Sequence, residues 1–259
     1  MAQPAARLRV HCTSQIVIPA RLASTRLPRK LLLRQTGKSL IQHTYEAALE
    51  AARPDGVCVA ADNAEIVREV RRFGGHVEMT DPGAASGTDR VAQLARQMEC
   101  DIVVNMQGDE PELSGEAVDL AISLLEENPE AVMSTLATPI RSREQLDDPA
   151  CVKVVFDQAG RALYFSRSPI PHPRQWDERL LEAEPPTFYQ HIGLYAYRRE
   201  FLLRLAEMPQ SPLEKIESLE QLRVLQAGHA ILVGLIEQGT IGIDTAEDYR
   251  AFVQRRGCG

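Results

Sequence analysis

Short runs of β-branched and aliphatic residues, apolar at every position rather than at every second one, recur through the first half of this chain and limit its fold more than any other feature. Ile16-Val17-Ile18, Val57 to Ala60, Val77 to Met79 and Ile102 to Asn105 are such runs. Patterns of helical period separate or follow them: Leu40 to Ala52, Ala64 to Phe73, about Asp89 to Gln97, and Gly115 to Glu127. Strands that are apolar on both faces must be covered on both faces, the condition of a parallel sheet with crossover helices. The pattern predicts a doubly wound α/β fold whose ligand crevice lies at the carboxyl ends of strands.

The middle of the chain changes character. Val132 to Leu136, Val152 to Phe156, Ala162 to Phe165 and Gln190 to Tyr197 read as successive strands, with a proline-rich loop (Pro169, Pro171, Pro173, Pro185, Pro186) before the last. They are expected to form an inserted antiparallel element, at about 150–200, that caps a site or pairs with a second subunit. A single helix is predicted from Pro212 to Gln226, with Ser211 as N-cap, proline at the first helical position and Glu214 placed for a capping box. Ile231 to Ile236 returns as a strand, and Thr245 to Arg255 closes the chain as a helix. No repeat, low-complexity tract or linker divides the sequence, so residues 14–259 are expected to form one domain behind a flexible extension, residues 1–13.

Composition bounds the function. With 44% hydrophobic residues among 259, the chain can bury one large core. A net charge of -7 argues against nucleic acid or a membrane surface as partner, since both reward a basic face. Ala230 to Ile236, the longest clean apolar run near the end, is too short to cross a bilayer, and no secretory h-region opens the sequence. Cys12, Cys58, Cys100, Cys151 and Cys258 stand at least 42 residues apart, which excludes close metal-binding pairs and suits a reducing cytoplasm.

Against this acidic background the cations are unevenly placed. No Asp or Glu precedes Glu46, so Arg7, Arg9, Arg21, Arg26, Arg29, Lys30, Arg34 and Lys38 have no local counter-charge, while the other 214 residues set 21 cations against 36 acids. Here the first strand runs straight into a loop, IVIPARLASTRLPRK (Ile16 to Lys30), whose backbone amides and cations suit a small polyanion; a solvated surface cluster is the alternative. It is not a P-loop, for Thr36-Gly37-Lys38-Ser39 needs glycine five residues before Gly37 and has Leu32 there. GxGxxG is absent as well.

Further segments lie where strands end or helices begin. In Asn105-Met106-Gln107-Gly108-Asp109-Glu110-Pro111, Asp109 follows a strand, where ligands for Mg²⁺ are commonly found because that ion takes oxygen donors and only one or two from protein; the same dipeptides also read as a turn. In Gly242 to Asp248, Asp244 is either a second carboxylate for the same metal or, like Thr245, a helix cap, and spacing alone does not decide. Ser86-Gly87-Thr88-Asp89-Arg90 opens a helix with small hydroxyl residues, fit for a base or phosphate and equally for an ordinary N-cap. In Gln190 to Tyr197, alternation puts His191, Gly193, Tyr195 and Tyr197 on one face, either a wall for a hydroxylated ligand or a structural surface, and Ile192, Leu194 and Ala196 on the other. Glu217 and Gln221 share a helix face at i and i+4 in this reading, and Arg167, at a strand end, suits a sugar carboxylate through bidentate bonding.

Together IPARLASTRLPRK, SGTDR, NMQGDEP, KVVFDQAGRALYFSRSPIP, QHIGLYAYR, SPLEKIESLEQLRVL and GIDTAED resemble the 3-deoxy-manno-octulosonate cytidylyltransferases, or CMP-Kdo synthetases, from about Ile16 to Val253. Single segments also suit a sialic acid cytidylyltransferase; the joint match is specific. The resemblance implies a Rossmann-like, mostly parallel α/β sheet of the nucleotidyltransferase, GT-A-like kind, with an inserted antiparallel dimerisation or lid element. It implies a cytoplasmic, Mg²⁺-dependent homodimer that converts CTP and Kdo to CMP-Kdo and pyrophosphate for lipopolysaccharide, without a protein nucleophile. By position it implies that Arg21 and Lys30 hold the triphosphate, Ser86, Gly87, Thr88 and Gln107 the cytidine, and Asp109 with Asp244 the metal. Arg167, His191, Tyr195, Glu217 and Gln221 are implied for the Kdo pocket. The family commonly has Pro-Gly-Lys where this chain has Pro28-Arg29-Lys30, and Pro173 to Thr187 matches no motif. The competing readings are another acid sugar as acceptor (8-amino-Kdo or a nonulosonate), a GT-A glycosyltransferase, and a nucleotide-sensing module without chemistry, against which both aspartates speak.

Overall fold

The apolar runs pair into a nine-stranded sheet in the computed structural model of the chain, which describes residues 12–239 and 242–257. In chain order the elements are β1 (Ser14–Ala20), α1 (Leu40–Ala48), β2 (Gly56–Ala61), α2 (Ala64–Arg72), β3 (Val77–Met79), α3 (Gly87–Ala95), β4 (Ile102–Asn105), α4 (Gly115–Glu127) and β5 (Met133–Pro139). There follow α5 (Arg143–Asp147), β6 (Lys153–Phe156), β7 (Ala162–Ser166), β8 (Tyr189–Arg198), α6 (Arg199–Leu205), α7 (Pro212–Glu217), α8 (Gln221–Gln226), β9 (Ile231–Leu235) and α9 (Ala246–Arg256). Short 3₁₀ turns occupy Lys30–Leu32 and Glu178–Leu181.

The main sheet has the order β3-β2-β1-β4-β8-β5-β9, parallel at every step except the two made by β8, which runs against both β4 and β5. Alternate residues of one strand feed opposite layers. Ile16 and Ile18 pack among α1, α4 and α9 through residues such as Ile41, Val118 and Phe252, while Val17 packs among α3, α6 and α8 through Val91, Leu202 and Leu222. All of these side chains are fully buried, each worth roughly 1.5–3 kcal/mol relative to exposure. This double cover is why the strands read as unbroken apolar runs, and the fold is the expected mostly parallel α/β sheet.

Three expectations change. β5 and β8, read as parts of an antiparallel insertion, lie inside the main sheet; the β6–β7 hairpin alone branches from it, joined to β8 at Lys153↔Gln190 and to β9 by a bridge, Arg161↔Leu232. The helix predicted over 212–226 is two helices, broken where Ser218 adopts the left-handed conformation (φ 52°, ψ 47°), although Ser211 and Glu214 do form the capping box. The unmatched stretch 173–187 helps cover a small separate core of Ile140, Leu146, Cys151, Leu181 and Phe188, with Trp176 against it. Residues 1–11 of the expected extension and Cys258 lie outside the described residues, whereas Thr13 is tied down: its amide donates to Asp101 Oδ2 at 2.8 Å and its carbonyl accepts from Ile102 at 3.0 Å.

Candidate active site

Because β1 and β4 are parallel neighbours, the loops that follow them, 21–30 and 106–111, emerge side by side at one rim of the sheet. Between them opens a cleft of about 630 Å³, whose wall includes Arg21, Lys30, Ser86, Gly87, Gln107, Asp109 and Asp244. Thr88 is buried directly behind it. Segments that were separate in sequence are thus brought to one place.

The backbone joins the two aspartate loops: the Ile243 amide donates to the Asp109 carbonyl at 2.9 Å. Helix α9 is capped by Thr245, whose hydroxyl receives the Asp248 amide while Asp248 answers the Thr245 amide, so the capping box leaves the Asp244 carboxylate free for other partners. Those partners are cations. Lys30 Nζ bonds Asp109 Oδ2, reaches Asp244 Oδ1 at 2.9 Å and donates to the Ile243 carbonyl at 3.1 Å, while Arg26 pairs with Asp244 Oδ2 at 2.8 Å. Burial works to lower the Lys30 pKa, but the two carboxylates outweigh it and raise it above its ordinary value, which keeps the ammonium protonated. Two carboxylates converging on one cationic centre, with oxygen as the donor atom throughout, fit Mg²⁺, which completes its shell with water and substrate phosphates. A closed cage is excluded among the described residues, where no group of three or more His, Cys, Asp or Glu is placed to hold a metal.

At the other end of the cleft Ser86 caps α3, accepting from the Asp89 amide at 3.0 Å, and Gly87 opens the helix where a Cβ would stand 3.6 Å from Pro19 Cγ. Behind this wall Thr88 Oγ1 donates to Glu220 Oε2 at 2.6 Å, Asn105 Nδ2 donates to Thr88 Oγ1 at 3.4 Å, and Gln107 Nε2 donates to Asn105 Oδ1 at 3.0 Å. Burial raises the Glu220 pKa, against the hydroxyl of Thr88 and the guanidinium of Arg223, which lower it. Arg90, fully buried, serves the scaffold: its Nη1 bonds Thr80 Oγ1 at 2.6 Å and the Asp81 carbonyl at 3.1 Å.

A second cleft of about 820 Å³ shares Arg26 and Asp244 with the first and is walled by His191, Tyr195, Gln221, Gln145 and Gln190 among others. His191 Nε2 bonds Thr135 Oγ1 at 2.9 Å, its ring lies edge-on to Phe165, and burial pushes its pKa down to about 3, so it is neutral. Burial likewise raises the Tyr195 phenol, which donates to Gln221 Oε1 at 3.3 Å and leaves Gln221 Nε2 buried with no protein partner. Arg167 and Glu217 stand outside both walls. Glu217 accepts from Ser166 Oγ at 2.7 Å and the Arg167 amide at 3.0 Å, and the Arg167 guanidinium bonds the carbonyls of Glu217, Pro149 and Ser218. Since Ser218 breaks the helix, Glu217 and Gln221 do not share a face.

Two residues were not singled out from the sequence. Arg26 was legible only as one of eight uncompensated cations, and its place between the clefts depends on the path of the loop. Glu220 lies three residues before Arg223, a spacing that reads as an ordinary surface pair.

Known proteins resemble this chain over most of its length. The family described as Cytidylyltransferase matches residues 15–231. A 3-deoxy-manno-octulosonate cytidylyltransferase of Rhodopirellula baltica is 51% identical, over 93% of this chain and 97% of its own, and one of Syntrophotalea carbinolica is 46% identical, over 90% and 94%. A solved CMP:2-keto-3-deoxy-manno-octonic acid synthetase complexed with CTP superposes with a TM-score of 0.86 at 40% identity, covering 94% of this chain and 99% of that one. The chain therefore belongs to the cytidylyltransferases, within the 3-deoxy-manno-octulosonate cytidylyltransferase family.

Proposed function

We propose that this protein transfers CMP from CTP to 3-deoxy-D-manno-octulosonate, giving CMP-Kdo and pyrophosphate for lipopolysaccharide biosynthesis. The observation that carries the reading is the meeting of Lys30, Asp109 and Asp244, from three distant loops, at the seam between two clefts. A nucleoside triphosphate and an acid sugar bound one in each would have their reacting atoms at that seam.

The anomeric hydroxyl gives up its proton to solvent as its oxygen forms a bond to the α-phosphorus, the bond to the β-phosphate oxygen breaks in line with it, and pyrophosphate departs with that electron pair. The work of the protein is positioning and charge neutralisation. Arg21, Arg26 and Lys30 supply three cations along the path of the phosphates. The neutral His191, the Tyr195 phenol and the Gln221 amide offer hydrogen bonds to a polyhydroxylated acceptor without adding charge. Asp109 and Asp244 would hold Mg²⁺, which when bound supplies positive charge to the phosphate and acidifies the attacking hydroxyl. The same reading carries a homodimer working in the cytoplasm; no helix among the described residues is long and apolar enough to cross a membrane.

The test is pyrophosphate release from CTP across a panel of acid sugars. Kdo should be the preferred acceptor, ahead of 8-amino-Kdo and nonulosonates, and Asp109→Asn and Asp244→Asn should each lower kcat by about 100-fold or more with CTP affinity changed only severalfold. Preference for another sugar would reassign the substrate. Near-normal turnover of either variant at saturating Mg²⁺ would remove the carboxylate pair from the mechanism.

A further inference from the structure

Four polar side chains form a line from the start of α8 to the wall of the first cleft, and the polarity of the line is set at its far end. Glu220, as a carboxylate, only accepts; Thr88 donates to its Oε2 at 2.6 Å, and Arg223 Nη2 stands 3.5 Å from its Oε1. A hydroxyl has one proton. Having given it to Glu220, Thr88 meets its next neighbour as an acceptor, so Asn105 presents Nδ2 to it at 3.4 Å. The Asn105 oxygen then faces Gln107, whose Nε2 donates to it at 3.0 Å. With its nitrogen so engaged, Gln107 offers its carbonyl oxygen to the cleft it lines, where Oε1 lies 3.8 Å from the point a Cβ of Gly87 would occupy.

An unanchored side-chain amide turns over at little cost and shows N–H as readily as C=O. Cytosine carries an amine donor at the position where uracil carries a carbonyl acceptor, so the direction of one amide decides which pyrimidine is matched. Ser86, the neighbouring hydroxyl, turns its one proton to carboxylates, Asp89 Oδ2 at 3.0 Å and Glu220 Oε1 at 3.4 Å, and accepts the Asp89 amide, so Gln107 is the side-chain amide at this end of the wall whose direction is open to be set. We infer that Glu220 is a positioning residue that selects cytosine over uracil, by holding Gln107, through Thr88 and Asn105, as an acceptor for the exocyclic amine. The inference rests on the reading of the first cleft as the CTP site.

Glu220→Gln changes the polarity with almost no change of shape. Beside Arg223 the new amide keeps its oxygen toward the guanidinium and turns its nitrogen to Thr88, which reverses every donor in the line. The experiment compares kcat/KM for CTP and UTP in Kdo-dependent pyrophosphate release, together with a CTP analogue that has hydrogen in place of the exocyclic amine. In Glu220→Gln the CTP:UTP ratio should narrow by about tenfold or more, mainly through KM for CTP, and removal of the amine should cost the variant much less than the unaltered enzyme. Thr88→Val, which cuts the line without touching Glu220, should narrow the ratio as well. An unchanged ratio in both variants overturns the inference. Absence of pyrophosphate from CTP in the unaltered enzyme would instead refute the proposed function, so the two failures are distinct.

Discussion

At position 29 the backbone is left-handed (φ 57°, ψ 30°), the region in which an L side chain costs about 1 kcal/mol or more and glycine almost nothing. The family pattern expected from the sequence has glycine at this position, and a left-handed backbone is one that glycine adopts without strain. Arg29 adopts the same backbone and directs its guanidinium to Glu65, away from the first cleft. Arg29 is exposed and Glu65 partly so, and the pair returns little. Arg29→Ala, which loses the pair and keeps the backbone cost, should be less stable than Arg29→Gly by about 1 kcal/mol in urea denaturation, with pyrophosphate release unchanged in both. Equal stabilities would show that the left-handed backbone costs nothing here. Charge counting marked this loop but could not show which of its cations point inward: Lys30 and Arg26 do, and Arg29 does not.

Among the elements, the strands and most helix starts were legible because local rules agree with tertiary demand there. The period-two reading of β8 survives an irregularity that could have destroyed it: Thr135 pairs with Tyr195 and Leu136 with Ile192, so β8 carries two extra residues, and an even number leaves each side chain on its own face. The break between α7 and α8 was not legible. Capping and periodicity favour one helix, and the break serves contacts remote in sequence, Glu217 to Ser166 and Gln221 to Tyr195. Helix α4 shows how closely an element can be seated: a Cβ at Gly115 would lie 2.4 Å from the carbonyl carbon of Glu50 and 2.5 Å from the Ala51 amide. Backbone cannot swing aside as a side chain does. Gly115→Ala should therefore destabilise by roughly 1–3 kcal/mol, seen as a melting temperature lower by about 3–10 °C; an unchanged melting temperature would mean that α4 is not seated there.

On the scale of the whole molecule, β8 holds the parallel halves together, and it buries a titratable group in doing so. His191 has a pKa near 3 in the folded protein, because burial disfavours its charge, and about 6.5 when unfolded. Between those values the unfolded chain binds more protons, so stability rises with pH across that window and is lost as pH falls from about 6.5. From pH 6.5 to pH 5 the protein should lose roughly 1–2 kcal/mol more than His191→Gln does, measured by urea denaturation at both values. Matching pH slopes would show that His191 is not the group responsible. Sequence could nominate Asp109 and Asp244 separately, each with an ordinary local explanation; only the folded chain makes them neighbours.

That long-range meeting also fixes the order in which the site comes into being. Lys30 and Asp244 lie 214 residues apart, and Asp244 stands just before the final helix. During synthesis the basic loop leaves the ribosome before Asp109, and Asp109 before Asp244, so Lys30 gains its two carboxylate partners one after the other. A nascent chain can hold the cations of the loop and the first aspartate together, yet the pair of carboxylates is incomplete until the segment carrying Asp244 has emerged and packed against the sheet.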